Sequence, residues 1–389
     1  MKNIAIIGST GSVGENAADI ARRNKEEFSI CALAVCSNTV RLQEQCEEFN
    51  VRTVYVADSA SAVSFQSKNS KIKVYSGPQG LKLMLSEVRL DLIVAASSGS
   101  ESLEAVLSAI DAGVDIALAN KELMVMAGHL VVRAVEKSGS RIIPVDSEHN
   151  AIFQCLAGKK INSEVRKIIL TGTGGPLKDV PSANFAAIEK EVVLNHPKWS
   201  MGPKITTDSA LMMNKGLELI EACWLFNAEP DQIQIIIHPQ AIVHSMVEFV
   251  DGSVLAHLGN TDMRLPLIHA MSYPDRTDEP DFRMDWSLAG RLDFSDPDQE
   301  KFKCLGYARK CAEQRYTTLP TVLNAADEVA VDAFLNDRIL FVDIPEVIRL
   351  CLEGTAAERE PDLDGILKCD RLTRKMAEQY CAEYEKISK

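Results

Sequence analysis

Seven residues near the start of the chain, Gly8-Ser-Thr-Gly11-Ser-Val-Gly14, follow an apolar run at 3–7 and precede a helical pattern at 15–22. A strand that ends in a glycine turn and feeds directly into a helix constrains the fold more than any other feature here. It is the opening of a dinucleotide-binding unit, in which glycines let backbone N–H groups approach a pyrophosphate at a helix N-terminus. The spacing is G-x-x-G-x-x-G rather than G-x-G-x-x-G, so its position after the first strand carries the reading. Further strands are predicted at 29–35, 53–56, 90–95, 115–119 and 141–145, with helical stretches between them. This alternation gives an α/β chain with a Rossmann-like, doubly wound parallel sheet. Ligands of such sheets lie beyond the carboxyl ends of the strands, where Asn120-Lys121-Glu122 and Asp146-Ser147-Glu148 both fall. The second strand ends in Cys36-Ser37-Asn38 without the acidic residue that would hold an NAD ribose, so NADP is preferred.

A second concentration of polarity lies at 196–218, HPKWSMGPKITTDSALMMNKGLE. Thr207 and Asp208 are natural N-caps, and Met213, Leu217, Ile220 and Trp224 recur at helical spacing, which predicts a helix starting near Ser209. Asn214 and Glu218 then share a face one turn apart, and Ser209 and Lys215 stand where a helix start would hold an anion. Taken alone, each residue of the segment reads more readily as part of a solvated polar face on an amphipathic helix. Asp146 and Glu148 are two residues apart after an apolar run, so an extended backbone would aim both carboxylates the same way. Oxygen-only donors favour Mg²⁺ or Mn²⁺ over Zn²⁺. The competing reading is a helix N-cap at Asp146 or Ser147.

With 389 residues, the chain is long enough for two or three domains. Its apolar runs are too short to span a bilayer, and a net charge of −13 without a basic stripe disfavours nucleic acid. The ten cysteines are scattered, with no C-x-x-C pair and no close Cys/His cluster, which argues against structural zinc and against a disulfide framework. The first residues enter a strand at once, without a leader-like pattern, and predict a cytoplasmic protein.

Several long motifs in fixed order carry a resemblance: GSTGSVG at Gly8, ANKE at Ala119, PVDSEHNAIFQ at Pro144, TGTGGP at Thr171, HPKWSMG at His196, DSALMMNKGLE at Asp208, HPQAIVHSMVEF at His238, LGNTDMRLP at Leu258 and NAADEVAVDAF at Asn324. Through them the chain closely resembles, nearly end to end, the 1-deoxy-D-xylulose 5-phosphate reductoisomerase family. The resemblance implies NADPH- and metal-dependent isomerisation and reduction of 1-deoxy-D-xylulose 5-phosphate to 2-C-methyl-D-erythritol 4-phosphate, for isoprenoid precursors. It implies metal ligation by Asp146, Glu148 and Glu218, with Lys121 as a further catalytic group. Cofactor contacts would come from Thr10, Gly11, Ser12, Val13, Cys36, Ser37, Asn38, Asn120, Glu122 and Gly202. The substrate would meet Lys121, Ser147, Glu148, Thr173, His196, Ser209, Asn214, Lys215 and Glu218, with Thr173, Ser209, Asn214 and Lys215 forming a phosphate seat. Trp199 and Met201 would belong to a mobile lid and His244 would support the site. A homodimer built on the central sheet is also implied.

This sequence departs from the family pattern in having Thr173 for Ser, Cys36-Ser37 for Gly plus a basic residue, and Asp327 for Asn. A cation at the implied carboxylates would act as an electrophile during the carbon shift, after which the cofactor would reduce an aldehyde. Other NADP-dependent dehydrogenases would share the first domain but lack the Asp146, Glu148 and Glu218 set. A dinucleotide sensor would not need both phosphate and metal ligands.

The expected organisation is a dinucleotide-binding domain at 1–149, a catalytic and dimerisation domain at 150–277 with a mixed sheet, a linker at 278–298 and a small helical domain at 299–389. Within the second, strands at 233–237, 242–249 and 253–258 are predicted, the last two joined across Asp251-Gly252. Helices follow at 299–314, 319–336, 345–353 and 363–387. His238, before Pro239, reads as structural.

Overall fold

A computed structural model describes residues 1–97, 99–158 and 161–387. By internal contacts the chain divides into two compact units: Met1–Leu123, Leu130–Asn150 and Asp262–Arg283 form the first, and Met124–His129, Ala151–Thr261 and Met284–Lys389 the second.

In the first unit, β1 (Lys2–Ile7), α1 (Ser12–Arg23), β2 (Phe28–Val35), α2 (Thr39–Phe49), β3 (Thr53–Val56), α3 (Ser59–Lys68), β4 (Lys73–Tyr75), α4 (Gly80–Glu87), β5 (Leu92–Ala95), α5 (Leu103–Asp111), β6 (Asp115–Leu118), α6 (Lys121–Ser138) and β7 (Ile142–Pro144) alternate as expected. The division crosses two helices: residues Met124–His129 of α6 fall in the second unit, and α7 (Ser147–Leu156) starts in the first. All seven strands are parallel, in the order β4-β3-β2-β1-β5-β6-β7. Because the chain builds outward from β1 in both directions, the switch point lies between β1 and β5, directly at the glycine turn. β1 buries Ile4, Ala5 and Ile6 completely, as expected of a strand covered on both faces. The three-residue β4 went unpredicted, since so short an edge strand leaves no periodicity. α12 (Arg264–Ser272) belongs to the first unit as well, and Lys2 Nζ donates to Met271 O and Tyr273 O at its C-terminal end, at 2.9 and 2.7 Å.

The second unit contains α8 (Ile161–Glu164), β8 (Val165–Gly172), a 3₁₀ turn at Ser182–Ala187, α9 (Lys190–Leu194), α10 (Pro203–Ala210), α11 (Met213–Leu225), β9 (Ile233–Ile237), β10 (Val243–Phe249) and β11 (Val254–Leu258). Its sheet is mixed, in the order β11-β10-β8-β9. β8 runs parallel to β9 and antiparallel to β10, and β10 and β11 pair as the predicted hairpin, with Gly252 at φ 85° in the turn. β8, the strand that organises this sheet, was absent from the sequence reading. Four helices complete the unit: α13 (Lys303–Glu313), α14 (Leu319–Leu335), α15 (Asp343–Gly354) and α16 (Leu363–Ile387). Among the described residues, no helix is long and apolar enough to cross a membrane.

The turn after β1 depends on missing side chains. Gly8 has φ 81°, and a Cβ on Gly14 would lie 2.2 Å from Gly8 O and 2.6 Å from Ser9 Cα. Gly14→Ala must therefore push α1 away from the turn, at a cost of about 1–3 kcal/mol by overpacking. Urea unfolding should register that loss; a variant as stable as the parent would show that the turn yields freely.

Candidate active site

At the switch point, Gly8 N and Ser9 N both donate to Ala34 O, and Gly11 N donates to Gly8 O at 3.1 Å. Gln45 of α2 fixes Ser9 from the side, accepting from its hydroxyl and donating to its carbonyl. Gly11 is the N-cap of α1 and no side chain caps that helix, so the first turn beside Thr10, Ser12 and Val13 presents its N–H groups to an anion. Cys36, Ser37 and Asn38 are all exposed at the end of β2. Asn38 spends its side-chain oxygen capping α2 through Arg41 N. Arg41 itself escaped the sequence reading. Its guanidinium grips Glu15 at 2.6 and 2.8 Å and Glu44 at 2.5 Å, so the nearest cation to Ser37 in the sequence is already answered by two carboxylates.

Further along the same sheet, Asn120 caps α6 by accepting from Leu123 N and donates to Gly99 O. Lys121, 6 % exposed in the first turn of α6, pairs with Asp146, while Glu122 is half-buried beside it. Asp146 and Glu148 do not share one extended stretch as expected. Asp146 immediately precedes α7, its carbonyl accepting from Asn150 N, and Glu148 is in the helix's first turn. The helical reading weighed for this segment is the one that holds, because β7 ends at Pro144 and the chain turns into a helix at once. Ser147 Oγ donates to Glu148 Oε2 at 2.6 Å and orients it.

In the second unit the predicted helix start is corrected. Pro203 opens α10 at its first turn, with Gly202 as N-cap, and the helix runs to Ala210. Met212, at φ 56°, then breaks the chain, and α11 starts at Met213. Thr207 and Asp208 are thus interior to α10, not caps, and Ser209 stands in that helix's last turn, with its hydroxyl on Ile205 O. Asn214 and Lys215 take over the first turn of α11. Asn214 Nδ2 donates to Glu218 Oε1 at 2.6 Å, and Lys215 Nζ lies 2.5 Å from Glu218 Oε2. Glu218 is fully buried.

The turn after β8 closes onto these helices. A Cβ on Gly175 would lie 2.3 Å from Ser209 O, and one on Gly172 would lie 2.9 Å from Lys215 Cε. Glycines therefore bring the turn that carries Thr173 against both Ser209 and Lys215. His196 Nδ1 accepts from Trp199 N at 2.9 Å and Lys198 N at 3.2 Å, which leaves Nε2 protonated and donating to Thr173 Oγ1 at 3.1 Å. Gly175 N donates to the same hydroxyl at 3.2 Å. With both acceptor positions filled, Thr173 directs its own proton outward. The half-buried Trp199 lies in an irregular loop with Met201, its ring centroid 6.4 Å from that of the buried His244, and His244 Nε2 is 3.2 Å from Asn260 O. His238 is structural as expected, bonded to Asp293 O and stacked 4.7 Å from Phe294. Lys204 bridges Asp208 and Asp327. Its i,i+4 spacing from Asp208 was visible in the sequence; the pairing with Asp327 was not.

Family models agree with this arrangement over most of the chain. The model for 1-deoxy-D-xylulose 5-phosphate reductoisomerase matches residues 4–128, and two models for the C-terminal domain of that enzyme match 142–226 and 258–376. A 1-deoxy-D-xylulose 5-phosphate reductoisomerase of Ectopseudomonas mendocina is 43% identical, with 99% of each chain covered. The chain belongs to the 1-deoxy-D-xylulose 5-phosphate reductoisomerase family. Another family member, from Methylococcus capsulatus, is 42% identical with 98% of each chain covered. A crystal structure of DOX-P reductoisomerase in complex with NADPH, fosmidomycin and magnesium superposes with a TM-score of 0.92 at 38% identity, covering 98% of both chains. The Zymomonas mobilis family member in complex with NADPH gives 0.90 at 36%, covering 98% of this chain and 99% of that one.

Burial, followed by the Lys215 cation, holds the His196 imidazole below its ordinary pKa of 6.5. Between that lowered value and 6.5 the unfolded chain binds the extra proton, so stability should rise with pH across this window. His196→Gln should flatten the rise, and the ring should titrate below 6.5 by NMR; a midpoint at or above 6.5 would contradict the neutral ring.

Proposed function

We propose that this chain converts 1-deoxy-D-xylulose 5-phosphate to 2-C-methyl-D-erythritol 4-phosphate, using NADPH and Mg²⁺ or Mn²⁺. The observation that carries the reading is the combination, in a member of this family, of an uncapped glycine turn at the sheet's switch point with a second glycine turn that gathers Thr173, Ser209 and Lys215. The first suits a dinucleotide pyrophosphate and the second a phosphate monoester.

In this reading Thr173, Ser209, Asn214 and Lys215 hold the substrate's phosphate, and His196 fixes the Thr173 hydroxyl as a donor. Binding energy at that end orients the reacting end. Asp146, Glu148 and Glu218 are the metal ligands. The donor set fits: all three are carboxylates, which suit a hard cation. Lys121 pairs with Asp146, while Lys215 pairs with Glu218 and Asn214 donates to it. When bound, the cation supplies electrophilic stabilisation to oxygens that gain charge, and NADPH supplies the hydride. Ser147 keeps Glu148 aimed, and Lys121 stands ready to hold or move a proton at Asp146 Oδ2. Thr10, Gly11, Ser12, Val13, Cys36, Ser37, Asn38, Asn120, Glu122 and Gly202 line the cofactor.

The loop carrying Trp199 and Met201 acts as a lid, closing on substrate and excluding water, with His244 beneath the indole. By role, 1–149 binds the cofactor, 150–277 carries most of the substrate site and the dimer interface, 278–298 links and 299–389 supports. A homodimer on the mixed sheet is favoured by its edge strand β11, where Val254 and Leu255 are 48% and 52% exposed. The protein works in the cytoplasm.

The direct test is the fall in NADPH absorbance when the phosphosugar and Mg²⁺ are added together, each omitted in turn. Glu218→Gln should remove most metal-dependent turnover while leaving NADPH affinity nearly unchanged, and wild-type rate and metal dependence in that variant would sink the ligand assignment. Trp199→Ala should weaken substrate binding by about 1.5–3 kcal/mol, the worth of a large apolar side chain. Its melting temperature should stay near that of the parent. A core tryptophan would instead cost roughly 3–5 kcal/mol of stability, so a large drop in melting without substrate would end the lid reading.

A further inference from the structure

α10 carries Lys204 in its first turn and Asp208 and Ser209 in its last. Lys204 Nζ lies 2.6 Å from Asp208 Oδ2 and 2.7 Å from Asp327 Oδ2, the latter reaching across from α14. The Asp208 and Asp327 side chains are 3% and 0% exposed, and that of Lys204 is 31% exposed. One cation thus faces two buried carboxyl groups. Asp208 is within hydrogen-bonding reach of Asp327. Asp327 Oδ1 meets no donor among the described residues when both groups are ionised. A single proton held between them would satisfy that oxygen and leave the cluster neutral.

Among the charged groups that act on the Asp327 carboxyl, Lys204 is a cation and Glu328 an opposing anion. Cys304 on α13 is wholly buried, and burial pushes its thiol well above the ordinary range, so it stays neutral. Glu328, next to Asp327 on α14, adds negative charge and is itself held by Asn324 and by Arg374 of α16. Burial raises the Asp327 carboxyl, with Lys204 pulling it back.

We propose that Asp327 is a positioning residue for the reaction: by holding Lys204 jointly with Asp208, it fixes α10 and so sets Ser209 against the 172–175 turn in the seat that takes the substrate's phosphate. The inference rests on the phosphate seat proposed above. Clamp and seat are coupled because Ser209 follows Asp208 directly, and Ser209 O leaves no room for even a Cβ on Gly175. A displacement of α10 therefore moves a phosphate donor. The clamp also carries a proton. As pH rises through the raised value of Asp327, the shared proton leaves, two buried carboxylates repel, and the stability it gave is lost.

The test compares the full-length parent, Asp327→Ala and Asp327→Asn. Asp327→Ala should raise KM for the phosphosugar about tenfold, as expected for one displaced hydrogen bond to a charged group, with kcat little changed. Its affinity for inorganic phosphate, read as a thermal shift, should fall to match. Asp327→Asn keeps the shape, accepts from Lys204 and donates to Asp208 without a titrating proton. It should restore KM to within about twofold of the parent and remove the rise of KM with pH expected of the parent as the shared proton leaves. A purely structural role would lower melting alone; unchanged phosphate affinity in the folded Asp327→Ala variant, or a parent-like pH slope in Asp327→Asn, overturns the proposal. A parent that binds phosphate but never turns over the phosphosugar would sink the functional reading and leave the clamp standing.

Discussion

A carboxylate with no solvent exposure must have its charge answered inside the protein, and Glu218 sets that demand for the second unit. Its two oxygens are met by Asn214 and Lys215, four and three residues earlier. Those partners reach it only because α11 starts at Met213, which places them in the first turn on the same face. The start at Met213 depends in turn on Met212 adopting a left-handed conformation that ends α10. Lys215 then needs a path to Glu218, and the absent side chain of Gly172 leaves room for its aliphatic stem. Removing either partner would leave part of a buried charge unmet, a larger loss than the pair's own attraction.

The two glycine turns solve the same problem. An anion held by backbone and small hydroxyl groups requires the chain to come closer than a Cβ allows. Gly8 and Gly14 permit this at the switch point of the parallel sheet, and Gly172 and Gly175 permit it at the end of β8. In both places a strand delivers the turn and a helix end lies against it, so the rigid elements fix the geometry while the glycines remove the obstruction. The difference is in what is added. The first turn offers mainly backbone N–H groups, as a pyrophosphate shared by every dinucleotide needs. The second adds Thr173, Ser209 and Lys215, whose hydroxyl and ammonium groups suit a compact, doubly charged phosphate.

Much of this was legible in the sequence because it is local. The order of strands and helices around Gly8, the β10–β11 hairpin at Gly252, and the Asn214–Glu218 spacing all follow from short-range pattern. What was missed has a different character. The helix boundary moved from Ser209 to Met213 because Pro203 starts an earlier helix and a residue with no turn propensity, Met212, takes the left-handed conformation under tertiary pressure. Asp146 and Glu148 were set on extended backbone because the helix after β7 begins immediately, without a spacer to announce it. β8 hid because its register is dictated by β9 and β10, both far along the chain. The bond from Lys204 to Asp327 spans 123 residues, and no periodicity reports it.

The segment 196–218 decides between a site and an ordinary amphipathic surface by its burial. A solvated polar face would expose its charges, yet Asp208, Lys215 and Glu218 are 2%, 6% and 0% exposed, and Thr206 and Thr207 are buried with them. Each of these groups lost water on folding, and each must be repaid by a partner merely to break even. An apolar helix pair would pack here with less desolvation. Lys204 and His196 extend the same pattern, with every nitrogen turned toward a specific acceptor or donor. A stretch whose polar groups are this buried and this thoroughly cross-bonded is stabilised less than its neighbours could make it, and what it gains is fixed direction. Thr173 points a proton outward, and Lys215 brings charge to the same place. Fixed donors need no reorganisation when an anion arrives, and that is the property a phosphate seat requires.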